Sequence, residues 1–148
     1  MRFVCDVMLG KLAKYLRILG FDAVYIRSLK MLDGFTAREE PTWFITRRSS
    51  AVPYEQTIRI RATNVREQLK ELGPLIRPHI DPDKVLQRCI GCNTPLIDAD
   101  KKSIEHLVPE FVFHAYNAFK RCPSCGRVYW EGTHAENMAD LIKEVARS

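Results

Sequence analysis

Two Cys-x-x-Cys pairs constrain this chain more than any other feature of its sequence. The pairs are Cys89/Cys92 and Cys122/Cys125, and 29 residues separate the second cysteine from the third. Four thiolates arranged in this way supply the donors of a closed tetrahedral zinc site. Two redox dithiols or two disulfides are the alternatives, but a redox site needs only one pair, and neither pair lies in an evident βαβ context. We therefore predict a structural zinc that stabilises the fold and has no position open for catalysis.

The residues that follow each pair support this interpretation. Gly126 follows Cys125, and Asn93 follows Cys92. Glycine and asparagine are the residues that adopt positive φ most readily, and such a turn lets backbone N–H groups point at a thiolate. The fifth cysteine, Cys5, lies in an apolar run and is predicted to be a small buried strand residue that binds no metal.

Length and composition indicate a globular protein with enough apolar residues for a packed core. The 148 residues, of which 46% are apolar, correspond to one ordinary domain or two small ones. No apolar run reaches 18 residues, so we expect no membrane-spanning helix. Charges interrupt the first apolar stretch, which is not typical of a secretory signal. We expect a cytoplasmic location, where cysteines remain reduced and able to bind zinc.

The net charge of +5 is unevenly distributed. Residues 1–81 contain 14 Lys and Arg against 9 Asp and Glu, whereas residues 82–148 contain 9 of each. A solvated basic surface would explain this excess, and so would a nucleic-acid interface, because arginine forks match phosphate geometry. The arginines that we predict to contact nucleic acid are Arg47, Arg48, Arg59 and Arg61.

The first part of the sequence reads as a βαβ unit. An apolar strand ends at Asp6, leucines at helical spacing run from Leu9 to Leu19, Gly20 ends that helix, and a second strand covers 23–26. This order is typical of a parallel sheet. The further predicted elements are a short helix within 28–40, strands over 42–46 and 57–61, a helix over 65–72 capped by Asn64 and closed by Gly73-Pro74, a proline-rich linker over 74–82, strands near 95–97 and 127–130, and a last helix from Thr133.

Asp6 is the first candidate site residue. Ligands of open α/β sheets bind at the carboxyl ends of the strands, and Asp6 ends the first strand there. A carboxylate in that place commonly binds a metal or positions a phosphate ester. An acid after a strand also caps the next helix in many proteins, so position alone leaves both roles open.

Longer stretches of sequence resemble a known family. FVCDVMLGKLAKYLRILGFDAVY is similar to the opening of the Mut-seven C-terminal ribonuclease family, and RCIGCNTPL and FKRCPSCGRVYWEGTH are similar to its second half. The resemblance implies a three-layer PIN-like α/β domain over residues 1–81, followed over 82–148 by a zinc ribbon with a closing helix. It also implies a ribonuclease whose clustered carboxylates hold Mg²⁺ or Mn²⁺.

The sequence departs from this family where the third strand ends. The family pattern there is T-R-D, with the aspartate as a site acid, whereas this chain has Arg48 after Thr46 and Arg47. A second acid would have to come from Asp33, Glu39 or Glu40, and we take Asp6, Asp33 and Glu40 as the candidate catalytic set.

Two functional hypotheses follow from the resemblance and the departure. The first is a divalent-metal-dependent ribonuclease, and the second is an RNA-binding or complex-bound protein that kept the nuclease fold without its chemistry. A third, a zinc-ribbon module that binds a protein partner, would make little use of Asp6.

Overall fold

A four-stranded parallel sheet organises the first part of the chain. The computed structural model describes residues 1–35, 40–131 and 145. The strand order is β2-β1-β3-β4, so the chain crosses from one side of β1 to the other between β2 and β3. The strands are β1 (Arg2–Cys5), β2 (Asp22–Tyr25), β3 (Thr42–Thr46) and β4 (Thr57–Arg59).

Two α-helices cover one face of this sheet. Helix α1 (Gly10–Ile18) buries the apolar stripe that the sequence predicted, including Leu12 and Leu16, and Gly20 follows it at φ +95°. Helix α2 (Val65–Ile76) packs beside α1 in the same core. Burial of this stripe removes apolar surface from water and accounts for the position of the helices.

A 3₁₀ helix and a loop cover the opposite face. The 3₁₀ helix spans Leu29–Gly34, and Leu32 packs there with Phe44 of β3 and Tyr54 of the loop that precedes β4. The two covered faces make a three-layer α/β arrangement, which confirms the predicted fold class. Among the described residues of 28–40, the predicted short helix corresponds to this 3₁₀ segment.

Helix α2 is longer than the sequence indicated. Its predicted end at Gly73-Pro74 is wrong, because the helix continues through both residues to Ile76. Leu72 and Ile76 are fully buried one turn apart, so continuing the helix places both side chains in the core. The missing N–H of Pro74 costs one hydrogen bond. Residues 74–76 thus belong to α2 and not to a linker.

A small antiparallel sheet forms in the second part of the chain. Its order is β5-β6-β7, with strands Ile97–Ala99, Phe119–Arg121 and Val128–Trp130. A 3₁₀ helix over Lys101–Leu107 and helix α3 (Glu110–Ala115) lie between β5 and β6, and the sequence analysis identified neither of them, nor β6. The predicted helix from Thr133 lies outside the described residues, apart from Val145, which is buried in the core beneath α1 and α2.

The turn that contains the first cysteine pair, Cys89 and Cys92, packs directly on the edge of the large sheet. The Arg17 guanidinium donates to the carbonyls of Ala23 at 2.8 Å and Ile90 at 2.6 Å. The Asn93 side chain accepts from the Ala23 N–H at 3.0 Å and donates to the Asp22 carboxylate at 2.6 Å. Asn93 therefore bonds to the outer edge of β2, which would otherwise present unpaired backbone groups. The boundary at residue 81 remains a prediction.

Within residues 1–35, 40–131 and 145, no helix is both long enough and apolar enough to cross a membrane.

Candidate functional site

The four cysteines of the two pairs converge at one point. One sulfur atom from each of Cys89, Cys92, Cys122 and Cys125 lies within 4.8 Å of all the others. The Cys89 and Cys125 Sγ atoms are 3.8 Å apart. Four sulfurs at about 2.3 Å from a tetrahedral zinc would be separated by about 3.8 Å. The donor set and its spacing therefore fit a structural zinc.

Hydrogen bonds around the sulfurs have the form that a zinc knuckle needs. The Cys92 N–H lies 3.4 Å from the Cys89 Sγ, and the Cys125 N–H lies 3.5 Å from the Cys122 Sγ. The Tyr129 hydroxyl accepts from the Ile90 N–H at 3.1 Å and is hydrogen-bonded to the Cys89 Sγ at 3.2 Å. Asn93 and Gly126 have φ values of +63° and +79°, as the sequence predicted. Such outer contacts orient the ligands of a metal.

The crowding of the four thiols, which affects their pKa values, also favours a cation among them. Burial alone would raise the pKa of Cys122, but the N–H groups of Cys125 and Ser124 outweigh burial and lower the pKa to about 6. Hydrogen bonding with Cys125 is the largest cause that raises the pKa of Cys92, to about 12. The raised pKa of Cys92 opposes a further thiolate beside the others, whereas a divalent cation would neutralise their charge. Cys5 lies elsewhere, and its burial raises its pKa to about 12.

The second charged centre lies at the carboxyl ends of β1 and β3. Asp6 directly follows β1, and Arg48 lies two residues beyond β3. The connection that follows β1 runs to β2 and the connection that follows β3 runs to β4, so the chain diverges between these two strand ends. Such a point of divergence is where open α/β sheets generally have the crevice that binds their ligands.

Protein donors already engage both oxygens of the Asp6 carboxylate. Oδ1 accepts from the Val7 N–H at 2.8 Å, and Oδ2 accepts from the Thr46 hydroxyl and from Arg48 Nε, each at 2.7 Å. The side chain of Asp6 is 2% exposed, whereas that of Arg48 is 38% exposed. The pair thus consists of a buried anion and a cation that reaches the surface.

The described surroundings of Asp6 do not fit a divalent cation. Mg²⁺ and Mn²⁺ take several oxygen ligands, usually including more than one acid or a substrate phosphate. In the part of the chain that the structure describes, the four cysteines are the sole group of three or more His, Cys, Asp or Glu residues close enough to share a metal. The guanidinium of Arg48 lies where it would repel such an ion.

Glu40, one of the three predicted catalytic acids, lies at the far edge of the sheet. Its carboxylate bonds to the Met1 ammonium at 2.9 Å, beside the start of β1. β1 has 4 residues, so at about 3.3 Å per step its first and last Cα atoms lie roughly 10 Å apart. The structure therefore does not bring Glu40 to Asp6.

Asp33 is also separate from Asp6. It is exposed on the 3₁₀ helix after β2 and lines a cleft with Tyr54 and Glu55, which precede β4. Glu39, considered as another source of a second acid, lies outside the described residues. Asp6 is therefore not joined by either of the two other acids of the predicted catalytic set.

The four predicted RNA-contacting arginines do share one edge. Arg47 and Arg48 follow β3, while Arg59 and Arg61 lie at the end of β4, and all except the half-buried Arg48 are exposed. The Arg59 guanidinium donates to the Arg48 carbonyl oxygen. Parallel pairing of β3 with β4 explains why residues from two separate stretches meet here. Their contact with RNA remains a prediction.

Two polar residues at this edge, Thr46 and Glu71, form hydrogen bonds that the sequence did not indicate. Thr46 bonds to Asp6, as described above. Glu71 of α2 accepts from the backbone N–H groups of Arg61 at 3.1 Å and Ala62 at 2.6 Å, which fixes the chain after β4. Asn64 accepts from the Glu67 N–H at 3.0 Å as the N-cap of α2, as the sequence predicted. A threonine at the end of a strand does not by itself indicate a hydrogen bond to Asp6, so the sequence did not reveal the role of Thr46.

Comparison with known proteins identifies the family of this fold and these two centres. Neither the curated proteins nor the solved structures contain a match to this chain. A family model described as the Mut7-C RNAse domain matches residues 1–142, a span that includes Asp6, Arg48 and all four clustered cysteines. On the strength of that match, the chain belongs to the Mut7-C RNAse domain family.

Proposed function

We propose that this protein binds RNA at the carboxyl edge of its large sheet without cleaving it, and that Arg48 contacts a backbone phosphate there. The pairing of Arg48 with Asp6 is the observation that carries the proposal. In a nuclease of this architecture a metal would face the scissile phosphate from this crevice. In this chain the positive charge comes from a guanidinium.

The geometry of the pair suits a phosphate contact. Asp6 uses Arg48 Nε, and the described hydrogen bonds leave the two terminal amino groups of the guanidinium for another acceptor. Asp6 itself is held by Thr46 and Val7, so the anchor of the arginine is rigid. A guanidinium oriented in this way presents parallel donors that match phosphate oxygens.

The surrounding charge favours an anionic ligand. Arg47, Arg59 and Arg61 lie at the same edge as Arg48, and the acids nearest in the described contacts, Asp6 and Glu71, are both occupied by donors of the protein. Like charges gathered at one edge destabilise the folded chain, and a polyanion that binds there relieves this repulsion. Family membership favours RNA over other polyanions.

RNA binding without cleavage is tested with single-stranded RNA in magnesium, in manganese and with neither ion, and without a chelator so that zinc remains bound. Arg48→Gln should weaken binding about fivefold at about 0.1 M salt, the value expected for one phosphate contact on a single strand. Arg77→Gln, an exposed arginine at the end of α2, is the matched control and should bind normally. Equal affinities of the wild type and Arg48→Gln would contradict the proposal.

A metal-dependent ribonuclease is the second candidate, favoured by the family and by the position of Asp6 at the end of β1. Cleavage that requires magnesium or manganese and disappears in Asp6→Asn would establish this candidate and overturn the first. Arg48→Asp adds the acid that the family pattern has after the third strand. Cleavage gained by this variant alone would show that the single substitution separates the two functions.

A further inference from the structure

A groove of positive charge runs along α1, on the opposite side of β1 from the arginines at the ends of β3 and β4. Lys11 and Lys14 project from α1, and Arg27 follows β2. All three are exposed, and they line the same groove. Tyr25, Arg17 and Gly91 also line the groove.

The groove joins the carboxyl edge of the sheet to the first zinc knuckle. Its upper end lies at Tyr25, whose hydroxyl accepts from the Met8 N–H at 3.4 Å, two residues beyond Asp6. Its lower end lies at Gly91, between Cys89 and Cys92, where Arg17 fixes the knuckle to α1. The groove is therefore bounded by the two charged centres described above.

The charge of the groove is not balanced within the described structure. In residues 1–35, 40–131 and 145, none of Lys11, Lys14 and Arg27 forms an ion pair, and no acid lines the groove. Arg17 differs, because its guanidinium donates hydrogen bonds to the carbonyls of Ala23, Ile90 and Gly91. Three cations that face solvent along one rigid helix and strand end thus remain available to a ligand.

We infer that this groove binds the continuation of the RNA strand whose phosphate contacts Arg48, and that it carries the strand from the sheet edge towards the zinc knuckle. The inference rests on the proposed function and adds a second part to the interface. A positive groove that tracks the backbone beside aromatic side chains is the usual form of a single-strand site. Tyr25, which is half-buried, is the aromatic residue that lines this groove.

RNA strands of two lengths test the two parts of the interface separately. Strands of about 4 and about 16 nucleotides span the site sizes typical of single-strand-binding domains. The short strand reaches the sheet edge alone, whereas the long strand reaches the groove as well. The combined variant Lys11→Gln, Lys14→Gln, Arg27→Gln should bind the short strand like the wild type.

For the long strand, loss of three phosphate contacts should lower affinity about 100-fold at about 0.1 M salt and reduce the slope of log affinity against log salt by about 2. The control is Lys70→Gln, Arg77→Gln, Lys102→Gln, which removes the same charge from other exposed positions. Unchanged zinc content and circular dichroism establish that both variants are folded.

The outcomes distinguish failure of the groove from failure of the proposed function. If the groove variant binds the long strand like the wild type while Arg48→Gln weakens both strands, the groove inference is overturned and the proposed function survives. An equal loss in the groove variant and its control also overturns the inference. If polyglutamate displaces the long strand as well as unlabelled RNA does, the groove selects acidic chains in general and not RNA. If the wild type binds neither strand, the proposed function itself fails.

Discussion

The two charged centres of this protein hold their charges in opposite ways. At the cysteine cluster, four sulfurs lie close enough together to hold one metal ion, and the supporting contacts come from neighbouring backbone and Tyr129. At the sheet edge, a single buried anion already has its cation in Arg48. The first centre thus has the donors for a metal, whereas the second has its positive charge from a side chain of the protein.

The comparison teaches that a buried acid at a strand end does not by itself make a metal site. Asp6 lies at the end of β1, and donors of the protein bond to both oxygens of its carboxylate. In this chain the buried acid orients the guanidinium of Arg48. In the cysteine cluster all four donors are present, so the same logic predicts a bound ion.

The largest effect should follow from removing one cysteine ligand. Cys122→Ser should abolish tight zinc binding and unfold the region around β5, β6 and β7, because structural zinc contributes about 10–16 kcal/mol in zinc-finger peptides, comparable with or above the roughly 5–15 kcal/mol total stability of a domain. Zinc content, circular dichroism and limited proteolysis measure the loss. Cys5→Ala is the matched control, and it should keep one zinc per chain. Full zinc content in Cys122→Ser would remove the contrast between the centres.

A double-mutant cycle on Asp6 and Arg48 tests the other centre. Asp6→Asn and Arg48→Gln should each destabilise the fold, and the double variant should lose less than the sum of the two. Removing one partner leaves a buried polar group or charge without its match, and breaking a fully buried pair costs about 3–5 kcal/mol. Since Arg48 reaches water, we expect a coupling energy of about 1–2 kcal/mol. Urea unfolding of the four proteins measures the coupling, and strictly additive effects would show that the pair does not form in solution.

Local chemistry explains why the cysteine cluster could be predicted from the sequence. Ligand spacing within each pair, and positive φ at Asn93 and Gly126, depend on residues that are neighbours in the chain. The β1-α1-β2 unit was predictable for the same reason, since its apolar periodicity and Gly20 are local signals. Asn64 as the cap of α2 also followed from its immediate neighbours.

The arrangement around Asp6 depends instead on contacts between distant residues. Arg48 is 42 positions from Asp6 in the chain, and Thr46 is 40 positions away. Only the pairing of β1 with β3 brings them together, and no local pattern reports which strands pair. The position of Glu40 could not be predicted for the same reason, because it precedes β3 and so lies at the opposite edge. The end of α2 was missed because burial of Ile76 outweighs the helix-breaking tendency of Gly73-Pro74.

The smallest expected effect is that of Glu40. This effect distinguishes the amino edge of the sheet, where Glu40 lies, from the carboxyl edge. The hydrogen bond from the Met1 ammonium, partly opposed by desolvation, holds the pKa of Glu40 below its ordinary value of 4.5. A depressed pKa in the folded state stabilises the protein above pH 4.5, and this stabilisation is lost as the pH falls through the folded-state pKa. The carboxylate is 47% exposed, so solvent screening should keep the contribution below about 1 kcal/mol.

Glu40→Gln should therefore lower the free energy of unfolding slightly at pH 7 and leave it unchanged in strong acid, as measured by urea unfolding at both pH values. RNA affinity should be that of the wild type, because Glu40 lies at the amino edge of β1 while Asp6 and Arg48 lie at the carboxyl edge. Asp6→Asn is the matched change of one acid to its amide, and it should alter RNA binding through the orientation of Arg48. If Glu40→Gln changed RNA binding or any metal-dependent cleavage as much as Asp6→Asn does, the two acids would have to act together, and the assignment of the site to a single edge of the sheet would be wrong.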